Sequence, residues 1–191
     1  MSLPAPIRVA LRVAELLEAH GVRYLIGGSL ASSFASEPRS TLDVDMVVEL
    51  EESIVDSLVS QLENEFYVDG HALRRAIAER SSANLIHLES SIKVDLFIAG
   101  GTPIDAEQMN RRRVIELEGG QRLFTYQPED ILLQKLRWYA LTDRSSDRQW
   151  RDILAIVSVN RGSLDRAYLR SAAAKIELTE LLDRILDEPS R

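Results

Sequence analysis

The run from Leu25 to Asp45 constrains this 191-residue chain more than any other part of it. An apolar stretch ends in Gly27-Gly28-Ser29, and thirteen residues later a second apolar stretch carries Asp43-Val44-Asp45. Glycines permit positive φ and a close approach of the backbone to a ligand. This order predicts a strand, a tight turn into a helix, and a second strand that bears two carboxylates.

The turn at Gly27-Gly28-Ser29 is expected to bind phosphate. The helix that follows presents unpaired backbone amides and the positive end of its dipole. Ser29 can cap this helix or contact a phosphate oxygen. The motif alone is more often an ordinary turn, so the prediction depends on the carboxylates that come after it.

The pair Asp43 and Asp45 is predicted to bind a divalent cation. Residues two apart on a strand point to the same face, so Val44 and Met46 are expected in the core and both carboxylates in one cleft. Two carboxylates this close raise each other's pKa, and Mg²⁺ or Mn²⁺ would relieve their repulsion. An exposed Asp-x-Asp at a strand edge is the alternative.

Asp95 repeats this pattern within the strand predicted at residues 92–98. Its position among apolar neighbours is unfavourable for an unpaired carboxylate. A metal ion, or an acceptor hydroxyl whose proton Asp95 takes, would account for it. An ion pair with Lys93 or Arg39 is the structural alternative.

Lys135 lies on the helix predicted at residues 128–142. The residues three and four positions away are apolar or aromatic, namely Ile131, Leu132, Trp138 and Tyr139. The ammonium therefore emerges from a face expected to be buried, where it needs a negative partner. Triphosphate oxygens, Asp152 and Asp130 are candidates, and extension of the side chain into solvent is the remaining possibility.

The hydrophobic pattern predicts an α/β (α+β) fold. Helices are expected at residues 7–20, directly after the Gly-Gly-Ser turn, and at 51–63, 70–80, 103–110, 128–142, 147–159, 164–174 and 176–187. Strands are expected at residues 22–26, 42–49, 85–88 and 92–98 and in a hairpin at 112–126 with its turn at Gly119-Gly120. This organisation predicts an α/β domain at residues 1–126 and a helical domain at 127–191.

Charge and composition exclude several classes of protein. The net charge is −7 and belongs to residues 1–100, whereas residues 101–191 are neutral and contain 13 arginines. An acidic protein is not a general nucleic-acid binder, although the run at residues 111–113 could contact an acceptor or simply begin a solvated strand. The absence of cysteine excludes disulfides and thiolate chemistry. No apolar stretch approaches the ~20 residues of a membrane span, and no signal peptide is recognisable, so a cytoplasmic location is expected.

Together these motifs resemble those of the nucleotidyltransferase superfamily, which carries Gly-Gly/Ser, Asp-x-Asp and a later strand Asp. The chain is more narrowly similar to AbiEii-type bacterial nucleotidyltransferases, described as toxins of type IV toxin–antitoxin systems. The matching stretches are residues 25–31, 39–45, 94–97, 128–139 and 148–153.

The resemblance implies a short mixed sheet with flanking helices, followed by helices that close over a nucleotide. It implies that Asp43, Asp45 and Asp95 are catalytic and bind metal. It also implies a nucleotide-binding set of Gly27, Gly28, Ser29, Arg39, Thr41 and Lys135. A cognate antitoxin is an implied partner.

The expected function is transfer of a nucleoside monophosphate from a nucleoside triphosphate to an acceptor hydroxyl, with two Mg²⁺ or Mn²⁺ ions and release of pyrophosphate. The acceptor would be an RNA 3′ end, a protein side chain or a small hydroxylated molecule. The alternative is a non-catalytic nucleotide-binding or toxin–antitoxin partner protein with the same fold.

Overall fold

The computed structural model describes residues 3–36, 41–142 and 146–187. The helices in these ranges are α1 (Ala5–Ala19), α2 (Gly28–Ala35), α3 (Val55–Leu62), α4 (Gly70–Glu79), α5 (Asp105–Asn110), α6 (Pro128–Leu141), α7 (Asp147–Asn160), α8 (Arg166–Lys175) and α9 (Thr179–Asp187). The strands are β1 (Tyr24–Ile26), β2 (Asp43–Val48), β3 (Phe66–Val68), β4 (Ser82–His87), β5 (Lys93–Ile98), β6 (Arg113–Glu116) and β7 (Arg122–Thr125). Helix and strand content of this kind confirms the predicted α/β class.

The strands form one mixed sheet in the order β3-β4-β5-β2-β1-β7-β6. Two neighbouring pairs are parallel, β2 with β5 and β1 with β7, and the other pairs are antiparallel. Because β2 and β5 are paired, two motifs that are fifty residues apart in the sequence lie on adjacent strands.

Helices cover the two faces of the sheet unequally. Helices α1, α3 and α4 pack on the apolar face of β2, β4 and β5, where Val44, Met46 and Leu96 are fully buried. On the other face, α2 contacts β2 and is in turn packed against α6 and α7. Asn84 and Ile86 of β4 remain exposed on this second face, which is therefore open from β3 to β5.

Every helix and strand predicted from the sequence is present, with boundaries that differ by a few residues. Strand β3 was not predicted, because it has only three residues and Phe66 alone is fully buried in it. The predicted loop at residues 37–40 lies outside the described residues. No strand occurs after β7 in the described part of the chain, and no helix there is long and apolar enough to span a bilayer.

A buried polar network attaches α6 to α8. The Asp130 carboxylate is fully buried and accepts a hydrogen bond from the Tyr168 hydroxyl. Arg111 donates to the same carboxylate at 3.4 Å and stacks 3.5 Å from the centroid of the Tyr168 ring. Glu129 accepts the backbone N–H of Asp165 at 2.9 Å. The position of α6 therefore depends on residues that follow it by about forty positions.

Replacing Tyr168 with Phe is expected to lower the free energy of unfolding by about 1–3 kcal/mol, because a buried carboxylate loses a donor. Burial raises the pKa of Asp130, so the stability that this group contributes is present below the unfolded pKa of 3.8 and is lost as pH rises through the folded pKa. The deficit of Y168F should therefore be larger at pH 7.5 than at pH 4.

Urea unfolding at the two pH values measures this difference, and Tyr67→Phe is the control because Tyr67 is exposed. Equal stability of Y168F and Y67F would show that the Tyr168 hydroxyl does not contribute to stability.

Candidate active site

Three aspartates lie side by side on the open face of the sheet. In the parallel pair of β2 and β5, Asp45 is directly opposite Asp95 and Asp43 is opposite Lys93. Adjacent strands are ~4.8 Å apart, so these side chains form one cluster. The structure thus brings Asp43, Asp45 and Asp95 together, as the alternation in both strands predicts.

The Gly-Gly-Ser turn joins β1 to α2 and lies against Asp45. The Gly27 N–H donates to the Asp45 carbonyl at 2.8 Å, and α2 begins at Gly28. Gly28 has φ +54°, and a Cβ at this position would lie 1.7 Å from Asp45 Oδ2. A Cβ at Gly27 would meet no atom closer than 3.7 Å. Only Gly28 is therefore required to be glycine by its surroundings.

Burial and like charge both act on Asp45. Its pKa is raised, first by burial and then by the neighbouring carboxylates of Asp95 and Asp43, while Lys93 and Lys135 oppose the shift. A further positive charge near this cluster would favour the ionised form of Asp45. The electrostatics therefore suit a bound cation.

Lys93 already supplies one positive charge to the cluster. Its Nζ lies 2.7 Å from Asp95 Oδ2, and the side chains are 42% and 15% exposed. Of the alternatives for Asp95, the pair with Lys93 is present in the structure. Arg39, which was the other proposed partner and a predicted nucleotide-binding residue, lies outside the described residues.

Lys135 enters the same region from α6. Its Nζ lies 2.9 Å from Asp152 Oδ2 on α7, and both side chains are largely buried. Of the partners predicted for Lys135, Asp152 is the one found, whereas Asp130 belongs to the network with Tyr168.

A cleft of about 370 Å³ separates the sheet from α6. Gly27, Gly28, Asp45 and Lys135 of the predicted set line it. Its apolar wall includes Phe97, Tyr126 and Trp138. A cavity of this size and character accommodates a nucleotide-sized ligand. Asp43 and Asp95 lie beside Asp45 on the same face, outside the lining of the cleft.

Thr41 and Ser29 have local roles in the structure. The Thr41 hydroxyl donates to the Asp43 carbonyl at 3.1 Å, which fixes the start of β2. Ser29 lies in the first turn of α2, where its carbonyl accepts the Ser33 hydroxyl at 3.0 Å. Neither residue lines the cleft, so their predicted part in nucleotide binding stays a prediction.

The donor groups at the cluster suit a hard cation, but their arrangement is incomplete. Carboxylate oxygens are the ligands that Mg²⁺ prefers, and Gly28 leaves Asp45 Oδ2 unobstructed by a side chain. Within residues 3–36, 41–142 and 146–187, no three His, Asp or Glu groups are placed to hold one metal ion together. In the same cluster, one Asp95 oxygen is paired with the Lys93 ammonium.

Comparison with known sequences identifies one family. The family described as "Nucleotidyl transferase AbiEii toxin, Type IV TA system" matches residues 23–189. Among curated proteins, no sequence matches the chain.

Several solved structures share the fold at low sequence identity. An antigenic nucleotidyltransferase-like protein from Paracoccidioides brasiliensis is 20% identical, with a TM-score of 0.58 over 95% of this chain and 91% of that one. The structure of ANT(2″)-Ia in complex with adenylyl-2″-tobramycin is 11% identical, with a TM-score of 0.59 over 91% and 99%. The lincosamide antibiotic adenylyltransferase LnuA, with lincomycin bound, is 14% identical, with a TM-score of 0.50 over 78% and 94%. At these identities the similarity shows the fold alone.

Proposed function

Because the chain belongs to the AbiEii nucleotidyl transferase toxin family, we propose that it transfers a nucleoside monophosphate from a nucleoside triphosphate to an acceptor hydroxyl. The observation that carries the proposal is the position of Gly28 against Asp45, with Asp95 opposite on the next strand. It combines a helix N-terminus suited to phosphate with carboxylates suited to a divalent cation.

The cleft and the aspartate cluster beside it would bind different parts of the triphosphate. The α2 N-terminus and Lys135 would hold its phosphate oxygens, and Asp43 and Asp45 would hold the first cation. Asp95 would complete the set for a second cation. When bound, Mg²⁺ or Mn²⁺ would offset charge on the pyrophosphate and lower the pKa of the acceptor hydroxyl. Phe97 and Trp138 would flank the nucleoside.

The reaction is an in-line displacement. The acceptor oxygen forms a bond to the α-phosphorus, the bond to the pyrophosphate oxygen breaks, and the Asp95 carboxylate would accept the hydroxyl proton. Most of the acceleration would come from position and charge, because the protein forms no covalent intermediate. Asp95, on the open side of the cluster, would face the incoming hydroxyl.

The acceptor would approach across the open face between β3 and β5. Tyr67, Ile86 and Lys93 form one cross-strand row that ends at Asp43. Tyr67 and Ile86 are exposed. An RNA 3′ end, a protein side chain and a small hydroxylated molecule remain the candidates. Two structural neighbours are complexes with small molecules of the antibiotic class, lincomycin and adenylyl-2″-tobramycin.

The decisive experiment is incubation of the purified protein with each of the four α-labelled nucleoside triphosphates, divalent cation and a bacterial lysate. Label should enter the RNA, protein or small-molecule fraction, and pyrophosphate should appear in equal amount. Asp43→Asn protein should transfer nothing. Calorimetric binding of a nucleoside triphosphate without any product would instead support the non-catalytic alternative.

The description of the family also suggests a biological setting. We propose that the activity is toxic when unopposed and that a cognate antitoxin is its partner. Induced expression of the wild-type chain should slow growth, whereas expression of Asp43→Asn should not. Equal growth of the two strains would contradict a toxic activity.

Lys135→Met is expected to lower kcat/KM for the nucleoside triphosphate about 10- to 100-fold, because a charged hydrogen bond contributes about 1.5–3 kcal/mol. The same substitution at Lys175 is the control, since that residue makes an exposed pair with Glu107 outside the cleft. Steady-state kinetics with the labelled acceptor measures both. Equal kcat/KM values for K135M and K175M would show that Lys135 does not bind the nucleoside triphosphate.

A further inference from the structure

Lys93 has a position that the proposed mechanism does not use. It lies two residues before Asp95 on β5, on the same face, and opposite Asp43 on β2. Its ammonium is 2.7 Å from Asp95 Oδ2, whereas Asp45 and Asp43 act on it through charge alone. Lys93 is thus paired directly with Asp95, whereas Lys135 acts on the cluster only through its charge on Asp45.

The charge balance of this cluster limits how many cations it attracts. If all three carboxylates are ionised, they and the Lys93 ammonium carry two net negative charges, which a single divalent cation cancels. A second divalent cation would then approach a neutral cluster and would compete with Lys93 for the same Asp95 oxygen. Without Lys93, one negative charge would remain after the first cation had bound.

A nucleoside triphosphate would change this balance. Its phosphates bring several negative charges into the cleft and offer the ammonium another partner. The Lys93 side chain is 42% exposed and has a flexible four-carbon stem, so its Nζ can leave Asp95 without a change in the backbone. Lys135 is paired with Asp152 and would contact the phosphates from α6, whereas Lys93 is the cation that the triphosphate could draw away from Asp95.

We infer that Lys93 withholds Asp95 from metal until the nucleotide binds, so that the protein takes up its second divalent cation only together with its donor. The inference rests on the proposed function and assigns Lys93 a positioning role that acts through Asp95. It also accounts for the absence, among the described residues, of three acidic groups arranged around one metal site.

The test counts bound Mn²⁺ by electron paramagnetic resonance, which detects the free ion. Wild-type protein without nucleotide should bind one Mn²⁺ tightly and a second only when a non-hydrolysable nucleoside triphosphate analogue is added. Lys93→Met protein should bind the second Mn²⁺ without nucleotide, with an affinity about tenfold or more above that of the wild type. Lys93→Arg, which keeps the charge, should behave as the wild type does.

Two further variants make the result specific. Lys175→Met removes an ion pair of similar exposure outside the cleft and should leave Mn²⁺ binding unchanged. The double variant Lys93→Met with Asp95→Asn should not bind the extra Mn²⁺, because an amide then replaces the Asp95 carboxylate that loss of Lys93 would free. A Lys93→Met protein that binds no more Mn²⁺ than the wild type, or a wild type that binds two ions without nucleotide, would overturn the inference.

Failure of this inference and failure of the proposed function are separable. Transfer of label by the wild type together with unchanged Mn²⁺ binding in Lys93→Met would overturn the role of Lys93 alone. Altered Mn²⁺ binding without transfer from any nucleoside triphosphate would overturn the proposed function and leave the metal inference in place.

Discussion

Asp45→Asn is expected to lower the rate of nucleotide transfer roughly 10³-fold or more. The same substitution should make the metal-free protein more stable at neutral pH. The carboxylate would hold the cation opposite the triphosphate, and an amide oxygen cannot replace its charge. The same carboxylate is unfavourable in the free protein, because burial and its two acidic neighbours raise its pKa. A single change therefore has opposite effects on activity and stability.

The pH dependence follows from the direction of this shift. A raised folded pKa means that the contribution of Asp45 to stability is present below the unfolded pKa of 3.8 and is lost as pH rises through the folded pKa. The melting temperature of D45N should exceed that of the wild type by about 2–4 °C at pH 7 and by less near pH 4. Saturating Mg²⁺ should stabilise only the wild type.

Scanning calorimetry and the labelled transfer assay measure the two effects on the same preparations. Asp183→Asn is the control, because Asp183 makes an exposed pair with Arg170 on α8 and α9. Normal transfer by D45N would show that Asp45 is not a catalytic residue, whatever the stability of the variant.

Gly28→Ala is expected to destroy both the turn and the activity. The methyl group would lie 1.7 Å from Asp45 Oδ2, and residue 28 would have to keep φ +54°. The left-handed conformation alone costs an Ala about 1–2 kcal/mol, and displacement of Asp45 adds to this. We therefore expect a lower melting temperature together with loss of transfer.

Two alanine controls separate the contributions. Gly119→Ala introduces a side chain at φ +81° with no atom within 4 Å, so it measures the conformational cost alone. Gly27→Ala introduces a methyl group with ordinary van der Waals contacts at 3.7–3.8 Å, so it measures the effect of a side chain next to the turn. If G28A melted at the same temperature as G119A, the contact with Asp45 would not constrain the turn.

The sequence alone predicted those features of the fold and site that depend on a local pattern of residues. Alternation within β2 and β5 predicted which aspartates share a face, because side-chain direction repeats every two residues. The strand, turn and helix around Gly28 followed from residue types that allow few other conformations.

Choices between partners could not be made from the sequence. Asp95 had Lys93 or Arg39 as possible partners, and Lys135 had Asp152, Asp130 or phosphate. Each choice depends on where separate strands and helices come to lie, and on distances of a few ångströms. Strand β3 was missed for a similar reason, since a three-residue edge strand has too little periodicity to be recognised. Trp138, which was expected on a buried face of its helix, is in fact 48% exposed.

The attachment of α6 to α8 has a consequence for the newly made chain. Lys135 leaves the ribosome well before Tyr168, yet the helix that carries it is held through Asp130 by that later tyrosine. A nascent chain that ends within α7 would contain the aspartates, the glycine turn and Lys135 while it lacked this anchor. Activity should therefore arise late in synthesis, only after the last helices have emerged and folded back.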